Sequence, residues 1–197
     1  MEELQNNEPM QTGNIDNTDE KKGKRIWMEI FEWVQALVIA VVIAMLLRTF
    51  VFTFVNVRGT SMVPTLQNND VLIVWRLAYN PQPGDIVVFR PERYPDTPYV
   101  KRVIATAGQT IDIDTVSGQI IVDGQTLEED YIAEPNRVFG NIGFPLTVPE
   151  DSIFCMGDNR NNSKDSRYTD VGPIPIDDVL GGAAMRIWPL DGFGLLH

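Results

Sequence analysis

The runs Asp70-Val71-Leu72-Ile73-Val74-Trp75 and Asp85-Ile86-Val87-Val88-Phe89 decide the fold class of this chain. Each is short, apolar and rich in β-branched residues, and the second follows the turn-forming pair Pro83-Gly84. Runs of about four to eight such residues bounded by turn formers are typical of buried strands, because a buried helix needs about ten residues or more.

Similar short runs recur along the chain towards its C-terminal end. Between two of them lies Asp123-Gly124, a pair typical of a β-hairpin turn. With 13 prolines and 15 glycines separating many short strands, the sequence predicts a mostly β fold, a compact antiparallel β-barrel or sandwich domain at residues 49–197. The other predicted strands are 50–55, 111–114, 119–122, 146–148, 153–156, 179–180 and 183–188.

The N-terminal part of the chain has a different composition. Residues 1–25 are polar and are predicted to form a disordered tail, because they cannot bury enough apolar surface to fold. Residues 26–48 are mostly apolar and, at a helical rise, roughly span the 30 Å core of a bilayer. A cleavable secretory signal and a buried core helix are the alternatives. The long preceding tail and the lack of an Ala-x-Ala-like site favour an uncleaved transmembrane anchor helix.

Basic residues flank this segment unequally. Lys21, Lys22, Lys24 and Arg25 precede it, whereas Arg48 follows it. Because positive flanks stay on the cytoplasmic side, the sequence predicts a single-pass protein of the cell (plasma) membrane with a cytoplasmic N-terminus and an extracytoplasmic β domain.

Charge and residue counts exclude several function classes. The formal net charge is −11, so a nucleic-acid partner is not expected. The chain has one cysteine, Cys155, and one histidine, His197, which excludes an intrachain disulfide and most histidine-based chemistry. No Cys/His cluster has zinc spacing, and the sequence predicts neither a metal site nor a cofactor.

The stretch Val57-Arg58-Gly59-Thr60-Ser61-Met62-Val63-Pro64-Thr65-Leu66 places a serine where a predicted strand ends. Proline cannot continue a sheet ladder, so the chain is expected to bend away just after Ser61. An ordinary Gly-Thr-Ser turn is an equally local explanation. A hydroxyl is a weak nucleophile unless a base lies within hydrogen-bond reach.

Two other stretches could supply the groups that such a serine needs. Lys101 stands within the apolar run 99–105, where burial would lower its pKa and allow it to act as a base; an outward-facing lysine on an amphipathic strand is the alternative. The stretch 157–167 contains Asn, Asp, Ser and Arg at a density that a plain solvated turn does not need.

Together these stretches make the chain resemble the bacterial type I signal peptidases, membrane-bound serine proteases that remove signal peptides from exported proteins. The resemblance covers about residues 26–189 and includes four motifs in family order after an anchor segment. The motifs are Gly59-Thr60-Ser61-Met62-Val63-Pro64-Thr65-Leu66, Gly84-Asp85-Ile86-Val87-Val88-Phe89, Tyr99-Val100-Lys101-Arg102-Val103-Ile104, and Gly157-Asp158-Asn159-Arg160 through Ser163, Asp165, Ser166 and Arg167.

The resemblance implies a role for each matching residue. Ser61 would be the nucleophile, Lys101 the general base, and Ser163 a hydrogen-bond partner that orients the lysine. Asp165 and Arg167 would form an ion pair behind the site. The implied pocket for the residue before the cut consists of Val57, Met62, Leu66 and Val100. The neighbouring pocket, for the substrate residue two positions further upstream, consists of Val55 and Val88.

Shallow apolar pockets of this kind imply cleavage after an Ala-x-Ala-like site in a substrate that binds as an added strand. The implied partners are preproteins carrying signal peptides and membrane lipid, with the export machinery as a candidate. Some relatives carry at Gly59 a serine that helps to stabilise the oxyanion; here the Ser61 N–H would have to serve. A membrane-anchored binding module without catalysis and a self-cleaving regulatory Ser/Lys protease remain as alternative functions.

Overall fold

A computed structural model describes residues 16–196 of the chain, with side chains from residue 24 onward. Helix α1, Asp16–Leu46, continues into one π-helical turn, Leu47–Val51. Within residues 24–51, an 18-residue window has a mean hydropathy of 2.4 and none of it is buried in the protein, so this helix is long and apolar enough to cross a membrane.

The helix begins earlier than the sequence predicts. Residues 16–25, expected within the disordered tail, are helical, and residues 1–15 of that tail lie outside the described residues. Acidic residues favour the N-terminal end of a helix, and Asp16, Asp19 and Glu20 stand there. The prediction considered only that these polar residues cannot bury apolar surface, and it neglected this local preference for a helix.

Residues 47–197 form a second unit that contains twelve β-strands and two short 3₁₀ helices in its described part. The strands in chain order are β1 Phe52–Asn56, β2 Val71–Trp75, β3 Ile86–Phe89, β4 Tyr99–Thr106, β5 Thr110–Ile113, β6 Ile120–Val122, β7 Gln125–Thr126, β8 Leu146–Thr147, β9 Ser152–Met156, β10 Ile174–Pro175, β11 Val179–Trp188 and β12 Gly194–Leu195. The 3₁₀ helices are Ile176–Asp178 and Leu190–Gly192.

All strand pairs of the unit are antiparallel. The larger sheet has the order β1-β2-β11-β3-β4-β9-β10, with β12 added beside β11, and the smaller sheet has the order β7-β6-β5-β8. The prediction of a mostly β, antiparallel fold is therefore confirmed. Asp123 and Gly124 form the predicted hairpin turn between β6 and β7, both with positive φ as this turn type requires.

The larger sheet curls so that strands distant in its order approach each other. Three strands separate β1 from β4, yet side chains that follow β1 contact β4 directly. One apolar cluster fills the inside of this curl. Its fully or nearly buried members are Val57, Met62, Leu66, Leu72, Val74, Ile86, Val88, Val100 and Ala183. A second cluster joins β4 and β9 to the smaller sheet. The candidate site thus lies over a well-packed core.

Candidate active site

Ser61 lies in a turn that begins directly beyond β1. The N–H of Val57 donates to the Asp70 carbonyl at 2.8 Å, and the Val57 carbonyl accepts from the Asn69 N–H at 2.9 Å, so the pairing continues as far as Val57. The chain then turns through residues 58–66, and the Leu66 N–H closes one helical turn on the Met62 carbonyl. The serine therefore leaves the sheet where the sequence predicts, with its side chain half-buried.

Lys101 of β4 contacts this serine. Its Nζ donates to Ser61 Oγ at 2.7 Å and to the Val100 carbonyl at 2.9 Å. The Lys101 side chain is buried, with a residue exposure of only 4%. A nucleophile with an amine in hydrogen-bond reach is the arrangement that activates a hydroxyl, provided that the amine can be neutral.

The surroundings of Lys101 favour this neutral state. Burial is the largest effect and lowers the pKa of Lys101 to about 8, despite the opposing attraction of Asp165. A lysine in water is almost wholly protonated at neutral pH, whereas a group of this pKa is neutral in a useful fraction. The geometry and the pKa together permit general-base chemistry at Ser61.

The polar loop 157–167 is packed against the turn that holds Ser61. The Asn159 N–H donates to the Ser61 carbonyl at 3.0 Å, and Asn162 Nδ2 donates to Thr60 Oγ1 at 3.0 Å. Gly157 approaches so closely that an added Cβ would lie 2.4 Å from the Ser61 carbonyl oxygen. Most polar side chains of this loop are buried or form hydrogen bonds to the turn that holds Ser61. Their high density therefore helps to fix that turn.

Asp165 and Arg167 form a fully buried ion pair behind this loop. Two guanidinium nitrogens of Arg167 donate to the Asp165 carboxylate at 2.8 Å each, and the Gly157 N–H donates to the same carboxylate at 3.0 Å. Burial alone would raise the pKa of Asp165, but the hydrogen bonds and charge of Arg167 outweigh it and lower that pKa. The pair thus holds Gly157 against the serine turn.

Ser163 is the residue whose contacts differ from those that the resemblance implies. Its buried Oγ has no hydrogen-bond partner among the described residues, so the bond to Lys101 is not formed. Lys101 instead bonds to Ser61 and to the Val100 carbonyl. The Ser163 hydroxyl lies near the Asp165 carboxylate and helps to lower its pKa. The two groups nevertheless do not meet the geometry of a hydrogen bond. An unpaired buried hydroxyl is costly, which makes Ser163 available to a group that approaches it.

A cleft of about 720 Å³ opens over Ser61 and Lys101. Of the six residues expected to bind substrate, Val55, Val57, Met62 and Val100 line this cleft. The other two, Leu66 and Val88, do not line it and have no exposed surface, because they pack beneath the lining residues in the apolar cluster. They support the floor of the cleft and do not form its surface.

The sequence did not point to a buried network of charges beside the site. Arg102 bonds Asp158 through two nitrogens, at 3.0 and 2.8 Å, and Arg160 forms a second ion pair with Glu129. The Tyr131 ring lies 4.0 Å from the centre of the Arg102 guanidinium. The signal that could have indicated this network is the arginine density of 157–167, since a buried arginine needs a carboxylate partner.

Gly59 has a backbone conformation that resists a side chain. Its φ is +89°, although an added Cβ would meet no atom within 4 Å. We expect Gly59→Ser and Gly59→Ala to lower stability equally, by about 1–3 kcal/mol, because both strain this backbone. Thermal unfolding and kcat/KM of both variants test this. If the serine variant is far more active than the alanine variant, its hydroxyl supplies an oxyanion donor, a gain of up to about 100-fold.

Comparison with known proteins gives consistent matches over most of the chain. The family model "Signal peptidase, peptidase S26" matches residues 30–188. Signal peptidase I of Leptolyngbya laminosa is 37% identical over 178 residues, which cover 85% of this chain and 84% of that protein. Signal peptidase I P of Bacillus subtilis subsp. natto is 36% identical over 181 residues, covering 86% and 95%. A crystal structure of a signal peptidase I from Enterococcus faecalis V583 is 30% identical, with a TM-score of 0.45, and covers 53% of this chain and 97% of that one.

Proposed function

This chain belongs to the signal peptidase family, peptidase S26, whose members cleave signal peptides at the membrane, and we propose that Ser61 and Lys101 carry out the cleavage. The observation that carries this assignment is the 2.7 Å contact between Lys101 Nζ and Ser61 Oγ in a buried setting.

In the first step, neutral Lys101 removes the proton of Ser61 Oγ as that oxygen attacks the scissile carbonyl carbon. In the 2.7 Å contact the Ser61 hydroxyl then donates to the neutral Lys101 amine, while the bond from Nζ to the Val100 carbonyl keeps the amine in place. The Ser61 N–H donates to no acceptor within residues 16–196, so it is available to the developing oxyanion. Lys101 returns its proton to the leaving amine, and an acyl-enzyme at Ser61 remains.

In the second step, Lys101 takes a proton from water as the water oxygen attacks the acyl carbon. Lys101 then returns that proton to Ser61 Oγ as the bond between this oxygen and the signal peptide breaks. We propose that Ser163 stabilises the transient ammonium of Lys101. Its buried hydroxyl has no hydrogen-bond partner among the described residues, and both this hydroxyl and the Ser61 carbonyl oxygen lie against Gly157. The Asp165–Arg167 pair positions Gly157, and its two charges act in opposite directions on the pKa of Lys101.

The substrate fits the cleft as an added strand. Within the described residues β1 pairs only with β2, and β4 leaves 99–101 unpaired on its β9 side, so both free edges border the cleft. An extended peptide running parallel to β1 places the last residue before the cut at Val57 and the third residue before it at Val55. The small apolar pocket there accepts alanine and excludes bulk.

Membrane lipid is a further proposed partner. Large apolar side chains on the β unit remain more than half exposed, including Phe193 at 60% and Leu195 at 64%. Together with α1, these side chains give the protein apolar surface that a bilayer would cover. Contact with the export machinery remains a hypothesis from the resemblance alone.

Incubation of the purified full-length protein with a preprotein tests the proposed function. We expect one cut, after the second alanine of an Ala-x-Ala-like site, identified by mass spectrometry of the new N-terminus. A preprotein with a large residue in place of that alanine serves as the control and should stay intact. Cleavage at unrelated positions, or of the control at the same rate, would contradict the proposal.

The orientation in the membrane gives a separate prediction. Because Lys21, Lys22, Lys24 and Arg25 precede the apolar helix, residues 1–25 should be cytoplasmic and the β domain extracytoplasmic. Protease added to intact spheroplasts should digest the β domain and leave an N-terminal tag intact. If the tag is digested and the β domain is protected, the orientation is reversed.

A further inference from the structure

The floor of the cleft changes from apolar to basic with increasing distance from Ser61. Residues two apart in a strand share a face of the sheet. Val74 of β2 and Val88 of β3 belong to the apolar cluster under the cleft. Arg76 and Arg90 follow them by two residues each, and both arginines line the cleft.

The two arginines lie at the end of the cleft opposite to Ser61. The Arg76 N–H donates to the Val51 carbonyl, which places Arg76 beside the beginning of β1. Arg90 directly follows the β3 residue that pairs with Tyr99, so it lies beside the beginning of β4. Ser61 follows the other end of β1, beyond which the turn begins.

Positive charge is in excess along the whole cleft, although the chain as a whole has a net charge of −11. Asp96 is the one carboxylate among the lining residues, and it faces five cationic side chains: Arg58, Arg76, Arg90, Lys101 and Lys164. Lys164 is already paired with Asp170. Within the described residues neither Arg76 nor Arg90 forms an ion pair; the Arg76 guanidinium donates one hydrogen bond, to the Thr49 carbonyl.

We propose that Arg76 and Arg90 form a basic subsite that favours an acidic side chain, and disfavours a basic one, at the fifth residue before the scissile bond. This rests on the proposed function, in which an extended substrate runs parallel to β1 past Val57 and Val55. Two further residues of such a strand advance about 6.6 Å, so the fifth residue lies beside Thr53 and faces the floor.

The chemistry of the subsite follows from the guanidinium group. Arginine presents a planar fork of donors that matches a carboxylate and repels a lysine ammonium. Arg76 and Arg90 are exposed side chains at the rim, so each contributes only modestly and the contribution decreases with salt. We expect an overall preference of about tenfold for glutamate over lysine at low ionic strength.

The test uses the full-length protein in neutral detergent and three preproteins with the same Ala-x-Ala site. They differ only at the fifth residue before the cut, which is Glu, Gln or Lys. The expected order of kcat/KM is Glu, then Gln, then Lys, with differences that shrink as salt is added. Equal kcat/KM for the three substrates would overturn the subsite alone, whereas failure to cleave any of them would contradict the proposed function itself.

Variants show whether these arginines cause the preference. Arg90→Glu lowers the charge of the subsite from +2 to zero and should flatten the order of the three substrates, whereas Arg76→Gln leaves one arginine and should reduce the preference without removing it. Arg137→Glu makes the same charge change as Arg90→Glu outside the cleft, on an exposed side chain 4.0 Å from Glu134, and should leave the order unchanged. If Arg90→Glu does not fold, the wild-type series and Arg76→Gln still decide.

A lipid phosphate is the competing ligand for two arginines in this position. In that case, vesicles containing phosphatidylglycerol would raise kcat/KM equally for all three substrates, and Arg90→Glu would remove the increase. This outcome, without any preference among the substrates in detergent, would overturn the subsite.

Discussion

Replacement of Lys101 by arginine should abolish signal peptide cleavage while leaving the protein folded. Arginine retains the positive charge and the ability to donate to Ser61 and to the Val100 carbonyl, but it cannot lose its proton in a protein. Loss of general-base catalysis typically costs about 10²–10⁴-fold in rate. The measurement is kcat/KM with a preprotein, together with thermal unfolding and substrate binding.

The matched control for this variant is Lys24→Arg, which makes the same chemical change at an exposed position of the helix. It should cleave at the wild-type rate. Cleavage by a folded Lys101→Arg protein would show that the base is another group, and it would rule out the assigned Ser/Lys dyad.

The pH dependence of the wild-type enzyme follows from the same residue. Burial lowers the pKa of Lys101 from 10.5 to about 8, so the neutral, reactive amine is lost as the pH falls below that value. We expect kcat/KM to increase with pH through one ionisation near 8 and then to level off, since kcat/KM reports the free enzyme. A midpoint near an ordinary lysine value, or a flat profile, would contradict this.

Replacement of Ser61 by alanine should remove catalysis and retain substrate binding. The variant loses the hydroxyl that Lys101 contacts, while Lys101 keeps its bond to the Val100 carbonyl and the cleft keeps its apolar lining. Removal of a serine nucleophile elsewhere costs roughly 10⁶-fold in kcat. Single-turnover cleavage and a binding titration with a fluorescent preprotein measure the two effects separately.

This variant also distinguishes the protease from a membrane-anchored binding module, which would function equally well without the Ser61 hydroxyl. Ser117→Ala is the matched control, because that serine bonds only to its neighbours Asp114 and Gln119 at an exposed turn. Its activity should equal that of the wild type. Retained cleavage in Ser61→Ala would contradict the assignment of the nucleophile.

Strands and turns of this protein could be predicted well from the sequence, because their signals are local. The apolar run 85–89 predicted β3, and the pair Asp123-Gly124 predicted the hairpin turn between β6 and β7. The runs 179–180 and 183–188 belong to one continuous strand, β11, since Gly181 and Gly182 between them remain in the ladder. Glycine there indicated a break, but Gly182 has no room for a side chain against Tyr79.

The contacts of the site could not be predicted from local signals. Ser61 and Lys101 are 40 positions apart. The apolar run around Lys101 made it one possible base, but no spacing relates it to Ser61, and the resemblance to a family was needed to select the pair. Glu129 and Tyr131 stand in a segment without periodic hydrophobicity, so the sequence does not identify them as the partners of Arg160 and Arg102. Long-range pairing of charges depends on the curl of the sheet, which the strand pattern does not encode.

The contacts between the loop 157–167 and the turn that holds Ser61 also determine when during synthesis the enzyme can become active. Asn159 and Asn162 bond to Thr60 across 99 and 102 positions of the chain. At about 5–20 residues per second, the turn emerges several seconds or more before the residues that immobilise it. Closing so long a loop is a late step in folding. A chain that has not reached these residues therefore carries Ser61 without its restraints, and we expect proteolytic competence only after residues 159–162 have been synthesised.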